Sequence, residues 1–314
     1  MSERPYVRVA YSPAVPVVVC DLCGASEAEE LVRRSTRRGA IVRCRSCSLV
    51  YQNPRPDIAD DWTREYSDEE DRFYNEQYVG EGDAKREAAG SVLSVLEELL
   101  PGRGRLLEVG SAAGFYLDAA RARGWEVAGI EPHSSLGRWA RQHMGLEVFI
   151  GTLETAPWPD GHFDAVVLYN TLEHLPSPKE ALGRIARLVR PGGLIGVQVP
   201  KADSVAFRLL RGRWRHAIPY HFFFFTDSTM GRYFDGAGFD LADARTAPKV
   251  FTAGLLADRL WEWRWIPPRV GRPLASLVKR SPLSRKRLRI NPRDDLLAHG
   301  RRREPEPTSP DPPA

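Results

Sequence analysis

The chain has 314 residues, of which 42% are hydrophobic and 27% charged, and its formal net charge is +4. This length allows one large core with a small accessory unit, and the ordinary composition excludes a fibrous or disordered chain. No apolar stretch approaches the roughly 20 residues that span a bilayer, and the N-terminal stretch lacks a secretory signal pattern, so we expect a cytoplasmic protein.

The four cysteines form two C-x2-C pairs, Cys20 with Cys23 and Cys44 with Cys47, separated by 20 residues. Each pair can occupy a tight turn and offer two thiolates, and two such turns complete the tetrahedral shell of a structural zinc ion. Two disulfides are the alternative, which a reducing cytosol disfavours. Redox catalysis is a further alternative, but no strand-then-helix pattern surrounds either pair. We predict a zinc-ribbon-like unit over residues 1–56 with a closed, non-catalytic Zn²⁺ site.

Residues 57–100 are predicted to form an acidic linker or lid that ends in a helix. Residues 61–100 carry 12 acidic and 4 basic groups. Aromatic residues accompany the acids before residue 82, and apolar residues recur at helical spacing over 84–100.

Strands and helices alternate from residue 105 onward, which is typical of crossover units and a parallel sheet. Strands are predicted over 105–109, 126–130, 146–150, 163–169 and 194–199, and helices over 114–123, 134–144, 177–190 and 227–237. The fold class is therefore α/β, a Rossmann-like, mostly parallel sheet with helices on both faces. The domain spans 101–300, with a last strand near 296–298 and a disordered tail over 301–314.

The segment 250–290 is rich in Trp and Arg and is predicted to be a helical insert. Trp261, Trp263 and Trp265 could contact a membrane surface peripherally. Three Trp at a period of 2 do not share one helical face, so we favour a cap over the site or a dimer interface. The sequence does not predict an oligomeric state.

A turn of small residues follows the first predicted strand. The apolar strand ends at Val109, and small residues then lead into a helix: Gly110, Ser111, Ala112, Ala113 and Gly114. Gly110 allows a sharp turn, the small side chains let a ligand approach the backbone, and Gly114 lets the helix begin close to the sheet. The N–H groups at the helix start favour an anionic group such as a carboxylate.

Glu131 ends the next predicted strand, 21 residues after Gly110. A carboxylate at this position can accept both hydroxyls of a ribose, and the alternative is a strand-end acid that faces solvent. Together the two features indicate a nucleoside-containing ligand. A nicotinamide dinucleotide competes as the ligand, but its fingerprint requires glycine where this chain has Ala112 and Phe115.

Residues 108–114 (EVGSAAG) resemble the first motif of class I S-adenosylmethionine (SAM)-dependent methyltransferases, with Ala112 replacing the middle glycine. The resemblance covers about 105–245 and continues through 127–131 (VAGIE), 163–167 (FDAVV), 170–175 (NTLEHL) and 188–193 (LVRPGG). The cysteine pairs followed by 53–56 (NPRP) resemble a subgroup that joins such a unit to a methyltransferase domain and includes sugar C-methyltransferases.

The resemblance implies SAM as the cofactor and assigns roles to single residues. Glu108 and the turn from Gly110 to Gly114 hold the methionine end, and Glu131 holds the ribose. Thr152 and Leu153 flank the adenine, with Thr152 standing where many members have an acid. Asn170 lies under the methionine part.

Methyl transfer is an in-line displacement at a sulfonium, so the protein mainly positions the donor and deprotonates the acceptor. His174 is the candidate base because imidazole titrates near neutrality, and Glu173 binds or orients the acceptor. The resemblance supports this pair, since related sugar enzymes have Glu-His at this position. His221 is the second candidate. The alternatives are that His174 only caps its turn and that His221 is a core histidine.

We expect methyl transfer to carbon or oxygen of a small-molecule acceptor, a sugar or secondary metabolite. An RNA methyltransferase that reads RNA through the zinc ribbon is one alternative. Residues 1–60 carry 9 basic and 7 acidic groups, and the acidic linker would repel phosphate, so these features argue against nucleic acid. A SAM-binding protein without catalysis is the second alternative.

Overall fold

The computed structural model of the chain describes residues 17–33, 39–55, 79–80, 82–100, 102–262 and 266–304. Most of the predicted acidic linker, the last ten residues of the predicted tail, Trp263 and Trp265 lie outside the described residues. Within the described ranges, no helix combines the length and apolar character needed to cross a membrane.

The described part of the chain forms thirteen strands and eight helices, besides short 3₁₀ turns. The strands are β1 (Ala28–Val32), β2 (Ala40–Cys44), β3 (Val50–Asn53), β4 (Arg105–Val109), β5 (Glu126–Glu131), β6 (Glu147–Ile150), β7 (Phe163–Tyr169), β8 (Val189–Pro200), β9 (Phe223–Phe224), β10 (Phe239–Thr246), β11 (Lys249–Thr252), β12 (Arg287–Ile290) and β13 (Asp295–Arg302). The helices are α1 (Gly82–Leu99), α2 (Phe115–Arg121), α3 (Ser134–Met144), α4 (Pro178–Leu188), α5 (Val205–Leu210), α6 (Asp227–Gly236), α7 (Ala253–Glu262) and α8 (Pro268–Arg280).

Seven strands form the central sheet in the order β10-β13-β8-β7-β4-β5-β6. The pairs from β8 to β6 are parallel, and β13 runs antiparallel to both of its neighbours. Parallel neighbours require crossovers, which α2, α3 and α4 supply. Buried residues of α4 and α6 pack in one core cluster, and those of α1, α2 and α3 pack in another. The predicted α/β fold with a mostly parallel sheet flanked by helices is confirmed.

Three predicted boundaries near the C-terminal half are wrong. The helix predicted over 177–190 ends at Leu188 because the following residues extend into β8, where proline and a glycine with a φ of 70° cannot continue a helix. The insert 250–290 is only partly helical, since its two ends form β11 and β12, which pair with each other. Strand β13 enters the predicted tail because Arg301 and Arg302 donate to backbone carbonyls of neighbouring elements.

The N-terminal cysteine-containing segment is not a closed unit. Its strands β1, β2 and β3 form an antiparallel sheet whose fourth strand is β9 from the larger domain. Asp21 accepts hydrogen bonds from Ser177 Oγ (2.6 Å), Lys179 N (3.0 Å) and Tyr233 Oη (2.9 Å). Two of these donors start α4, where an acidic group is favourable. The cysteine-containing unit is therefore docked beside the turn that precedes α4.

Candidate functional site

The turn after β4 has the backbone geometry of a ligand loop. Gly110, Ala112 and Gly114 have φ of 77°, 47° and 80°, which is the left-handed region. A Cβ at Gly110 would lie 2.5 Å from Thr171 Oγ1, so only glycine lets the turn pack against the residues after β7. Ala112 adopts a conformation that costs roughly 1–2 kcal/mol for a residue with a Cβ. A glycine at position 112 would be as small as the turn requires and would avoid this strain, so the small size of alanine does not explain why alanine occurs here.

Glu131 is fixed against this turn by two backbone donors. Ala112 N donates to its Oε2 (2.6 Å), and His133 N donates to its Oε1 (2.8 Å). The side chain is only 6% exposed, and burial raises its pKa from 4.5 to about 7 although the two N–H groups oppose the shift. A carboxylate has about four lone-pair sites, so each oxygen can still accept a hydrogen bond from a ribose hydroxyl.

Two further polar groups of the turn are buried. Glu108 Oε2 and Ser111 Oγ have no hydrogen-bond partner among the residues that the structure describes. Burial and the nearby Glu131 raise the pKa of Glu108 well above its ordinary value. A buried polar group without a partner is costly, so this turn fits a polar ligand such as the amino-acid end of SAM.

The residues predicted around the adenine and methionine parts occupy two loops at the same edge of the sheet. Thr152 follows β6, and its N–H donates to Thr155 Oγ1 (3.3 Å). Leu153 is 4% exposed and packs in the core, so only the backbone of this residue remains for contact with a base. Asn170 follows β7 with a φ of 55°, which turns the chain sharply at the strand end.

Glu173, His174 and His221 come together although 46 residues of chain separate the second from the third. The Oε1 atom of Glu173 lies 4.0 Å from Nε2 of His221, and the two imidazole ring centres are 4.7 Å apart. One candidate ligand atom from each residue lies within 4.8 Å of the others. His174 Nδ1 and the carbonyl of Tyr220 are 2.9 Å apart, so Nδ1 donates and Nε2 carries the lone pair.

Burial controls the protonation of this cluster. Glu173 is completely buried, and burial together with the nearby Asp295 raises its pKa to about 8. Burial lowers the pKa of His174 to about 4 and that of His221 well below its ordinary value. Both imidazoles are therefore neutral at physiological pH, which is the form that accepts a proton.

The segment before β9 supports the cluster from the side of the cysteine-containing unit. Phe222 N donates to the carbonyl of Glu173 (2.8 Å), and Gln52 N donates to the carbonyl of Phe222 (2.8 Å). The four residues Phe222, Phe223, Phe224 and Phe225 are at most 1% exposed and pack in the interior. The position of His221 thus depends on the pairing of β9 with β3.

A buried ionic network behind His221 was missed by sequence reasoning. His216 stacks on His221 with ring centres 5.4 Å apart, and its Nε2 lies 3.1 Å from Asp295 Oδ1. Arg215 and Lys249 also pair with Asp295, at 2.7 and 2.9 Å. The only signal in the sequence was the pair of adjacent acids, Asp294 and Asp295, at the start of β13.

The four cysteines form one cluster. Sγ of Cys20 and Cys47 are 3.4 Å apart, those of Cys23 and Cys44 are 3.6 Å apart, and all four lie within 4.8 Å of one another. A disulfide requires about 2.05 Å, whereas thiolates on a tetrahedral zinc ion are about 3.8 Å apart. All four thiols are free, so the alternative of two disulfides is wrong for this structure. The donor set fits a structural zinc ion.

A family model described as "Methyltransferase domain" matches residues 81–244, more than half of the chain. A tRNA U34 carboxymethyltransferase of Syntrophotalea carbinolica is 33% identical over 162 residues, which are 49% of this chain and 49% of the relative. A ubiquinone biosynthesis O-methyltransferase of Alkalilimnicola ehrlichii is 40% identical over 100 residues, 30% of this chain and 40% of the relative. The chain thus spans about half or less of the curated relatives it matches.

Solved structures share the fold at low sequence identity. A chain of the Haloferax volcanii complex between the Trm112 methyltransferase activator and a methyltransferase matches with a TM-score of 0.54 and 18% identity, covering 76% of this chain and 98% of that one. A sarcosine dimethylglycine methyltransferase of Galdieria sulphuraria matches with a TM-score of 0.50 and 13% identity, covering 75% and 99%.

Proposed function

Since the chain belongs to the family of the methyltransferase domain and is a SAM-dependent methyltransferase, we propose that it methylates a carbon or oxygen atom of a small-molecule acceptor. A sugar or a secondary metabolite is the acceptor class suggested by the resemblance of its N-terminal unit to that of sugar C-methyltransferases. The proposal also includes a structural zinc ion on the four cysteines and a reducing, cytoplasmic compartment, in which such thiolates persist.

One observation carries the proposal. The turn after β4 and the cluster of Glu173, His174 and His221 lie next to each other, and the parallel strands β4 and β7 that precede them are neighbours in the sheet. Thr171, two residues before Glu173, packs directly on Gly110 of the turn. Ligands of open α/β sheets bind in the crevice outside the carboxyl ends of the strands. A nucleoside held by Glu131 would therefore lie within reach of the cluster.

The chain's own residues then have distinct tasks. When bound, SAM supplies an activated methyl group. Glu131 accepts the ribose hydroxyls, and Glu108 with Ser111 binds the methionine end. The cluster of Glu173, His174 and His221 binds and activates the acceptor. Within this cluster His174 presents Nε2 to the acceptor, because Nδ1 is engaged with the carbonyl of Tyr220.

A small acceptor suits this cluster better than RNA. Glu173 is completely buried and His221 is 8% exposed, so an acceptor atom has to enter a narrow site. The tRNA enzyme, which is 33% identical over 162 residues, makes RNA the second candidate acceptor. The cysteine-containing unit supplies few positive charges in excess, and RNA binding depends strongly on such charge.

Three alternative roles of the segment 250–290 stay predictions: peripheral membrane contact, a cap over the site and a dimer interface. Helix α8 exposes Val270, Leu274 and Leu277 by 60, 45 and 68%. Their spacing places them on one face of the helix. The side chain of Trp261 and the residues Trp263 and Trp265 lie outside the described part, so the predicted tryptophan contacts are not tested.

Product analysis by mass spectrometry tests the proposal. The purified, zinc-loaded protein is incubated with SAM and, separately, with pools of sugars, hydroxylated aromatic metabolites and total RNA. We expect a small-molecule product about 14 Da heavier than its acceptor, which is the mass added when a methyl group replaces a hydrogen. The rate of its formation should not depend on salt concentration. Methylation of RNA alone, with steep salt dependence, would establish the RNA alternative. SAM binding without any product would indicate a non-catalytic protein.

A further inference from the structure

We propose that Glu173, His174 and His221 bind a divalent transition-metal ion, and that this ion binds the oxygen atom of the acceptor. The inference rests on the proposed function, since it states how the same cluster activates its acceptor. Each residue offers one ligand atom, and the three atoms lie within 4.8 Å of one another. Small side-chain movements bring such a set to the roughly 2.0–2.2 Å bonds of a metal site.

The donor set defines the class of ion. Two imidazole nitrogens and one carboxylate oxygen suit Zn²⁺, Mn²⁺, Fe²⁺ or Co²⁺ better than Ca²⁺, which prefers oxygen ligands alone. Three protein ligands leave at least one position open, as in catalytic rather than structural sites. The four-cysteine cluster, in contrast, has a closed shell, so the two sites have different affinities for hard and soft ions.

Unsatisfied buried atoms provide an independent observation. Glu173 is 0% exposed, and neither of its carboxylate oxygens has a hydrogen-bond partner among the described residues. His221 Nδ1 is likewise buried without a hydrogen-bond partner in the described part of the chain. A cation bound to the Glu173 carboxylate removes the cost of burying its two oxygens without partners.

The surroundings orient one of the three donors, His174, as in known metal sites. Metal-binding histidines usually donate their second ring nitrogen to a carbonyl or a carboxylate. His174 does so at 2.9 Å to the carbonyl of Tyr220, which directs Nε2 away from that carbonyl. The ring of His221 is stacked on His216, whose position Asp295 fixes.

A second group of possible ligands does not compete for the ion. His216, Asp294 and Asp295 also lie close together. Their carboxylates, however, already pair with Arg215 at 2.7 Å, and Asp294 also accepts a hydrogen bond from Trp214. The guanidinium of Arg215 neutralises these carboxylates, so this group supports the position of His221 and does not bind the ion.

The ion specifies oxygen as the methylated atom. An acceptor hydroxyl binds the ion through its oxygen, which lowers the pKa of the hydroxyl, and its proton leaves to solvent. The oxygen's electron pair then forms the bond to the methyl carbon while the carbon–sulfur bond breaks and its pair remains on sulfur. The products are a methyl ether and S-adenosylhomocysteine. A hydroxyl with a neighbouring oxygen, which can chelate the ion, is the favoured acceptor.

Manganese binding tests the site without interference from the cysteines, because Mn²⁺ is a poor partner for thiolates. The zinc-loaded protein is titrated with Mn²⁺, and free Mn²⁺ is followed by electron paramagnetic resonance. We expect one bound ion per chain in the wild type, and affinity weakened by about tenfold or more in Glu173→Gln and His221→Gln. His143→Gln, which changes an exposed histidine of α3, is the matched control and should bind normally.

SAM affinity by calorimetry shows whether each variant is folded. If a variant loses SAM binding, proton NMR of the wild type takes the place of that variant: Mn²⁺ should broaden the imidazole signals of His174 and His221 but not that of His143.

The proposal is overturned if neither Mn²⁺ nor Co²⁺ binds, or if the control and the cluster variants bind alike. Equal turnover of a hydroxyl acceptor after chelation of the second ion would refute its catalytic role and leave the proposed function intact. Ion binding with no methylation of any pool would instead contradict the proposed function.

Discussion

Glu131 combines burial with a fixed orientation, and we propose that cofactor binding depends most on this residue. Its two oxygens are held by the N–H groups of Ala112 and His133. We expect Glu131→Gln to weaken SAM binding by roughly 10- to 100-fold, because hydrogen bonds to a charged group contribute about 1.5–3 kcal/mol. Isothermal titration calorimetry measures the change. Glu126→Gln, at the exposed start of the same strand, is the control and should bind SAM like the wild type.

The same carboxyl group gives the ligand-free protein a characteristic pH dependence. Its pKa is raised from 4.5 to about 7, so the folded state binds the proton more tightly than the unfolded state. The stabilisation is complete below pH 4.5 and is lost as the pH rises to about 7. Relative to Glu131→Gln, the wild type should lose about 3 kcal/mol of unfolding free energy between pH 5 and pH 8. Urea unfolding at both pH values measures this, and a pH-independent difference would contradict it.

At the scale of elements, the turn that contains Asp21 connects the cysteine-containing unit to the start of α4. Three donors converge on this carboxylate. We expect Asp21→Ala to lower the free energy of unfolding by about 2–4 kcal/mol, since partly buried donors lose their acceptor. Chemical denaturation measures the loss. Asp160→Ala, at an exposed turn, should change stability by less than about 0.5 kcal/mol.

The pairing of β3 with β9 connects the cysteine cluster to His221. We expect Cys44→Ser to lose the bound zinc ion and to lower turnover by about tenfold or more, with a smaller effect on SAM affinity. The reason is that β4 and β5, after which the proposed cofactor-binding residues lie, do not pair with this small sheet. Metal analysis by mass spectrometry, steady-state kinetics and calorimetry measure the three quantities. Ser46→Ala in the same turn is the control, and an equal loss of SAM affinity and turnover would contradict the expectation.

Elements with a strong local pattern were predictable. The central strand β7 is almost entirely apolar, and the turn after β4 has the small residues that its left-handed backbone requires. The extent of β13 was not predictable, because side chains of Arg301 and Arg302 bind carbonyls from distant elements. The strands β11 and β12 were likewise missed, since their pairing joins segments about 40 residues apart.

At the scale of the whole molecule, the fold brings together groups that the sequence separates. The pair of Glu173 and His174 could be predicted from its place after a strand, and His221 only as an open candidate. The network of His216 and Asp295 could not, because β13 inserts between β8 and β10 and so brings Asp295 to a segment 79 residues earlier in the chain (295 − 216). Such long-range contacts leave no local pattern in the sequence.

A crystal structure of the protein with S-adenosylhomocysteine tests the central claim most directly. We predict that the ribose hydroxyls lie within hydrogen-bonding distance of Glu131, with the amino-acid end in the turn from Gly110 to Gly114. The sulfur atom should face Glu173, His174 and His221. A nucleoside bound elsewhere, or a Glu131 carboxylate that points to solvent, would contradict the assignment of this crevice as the site of methyl transfer.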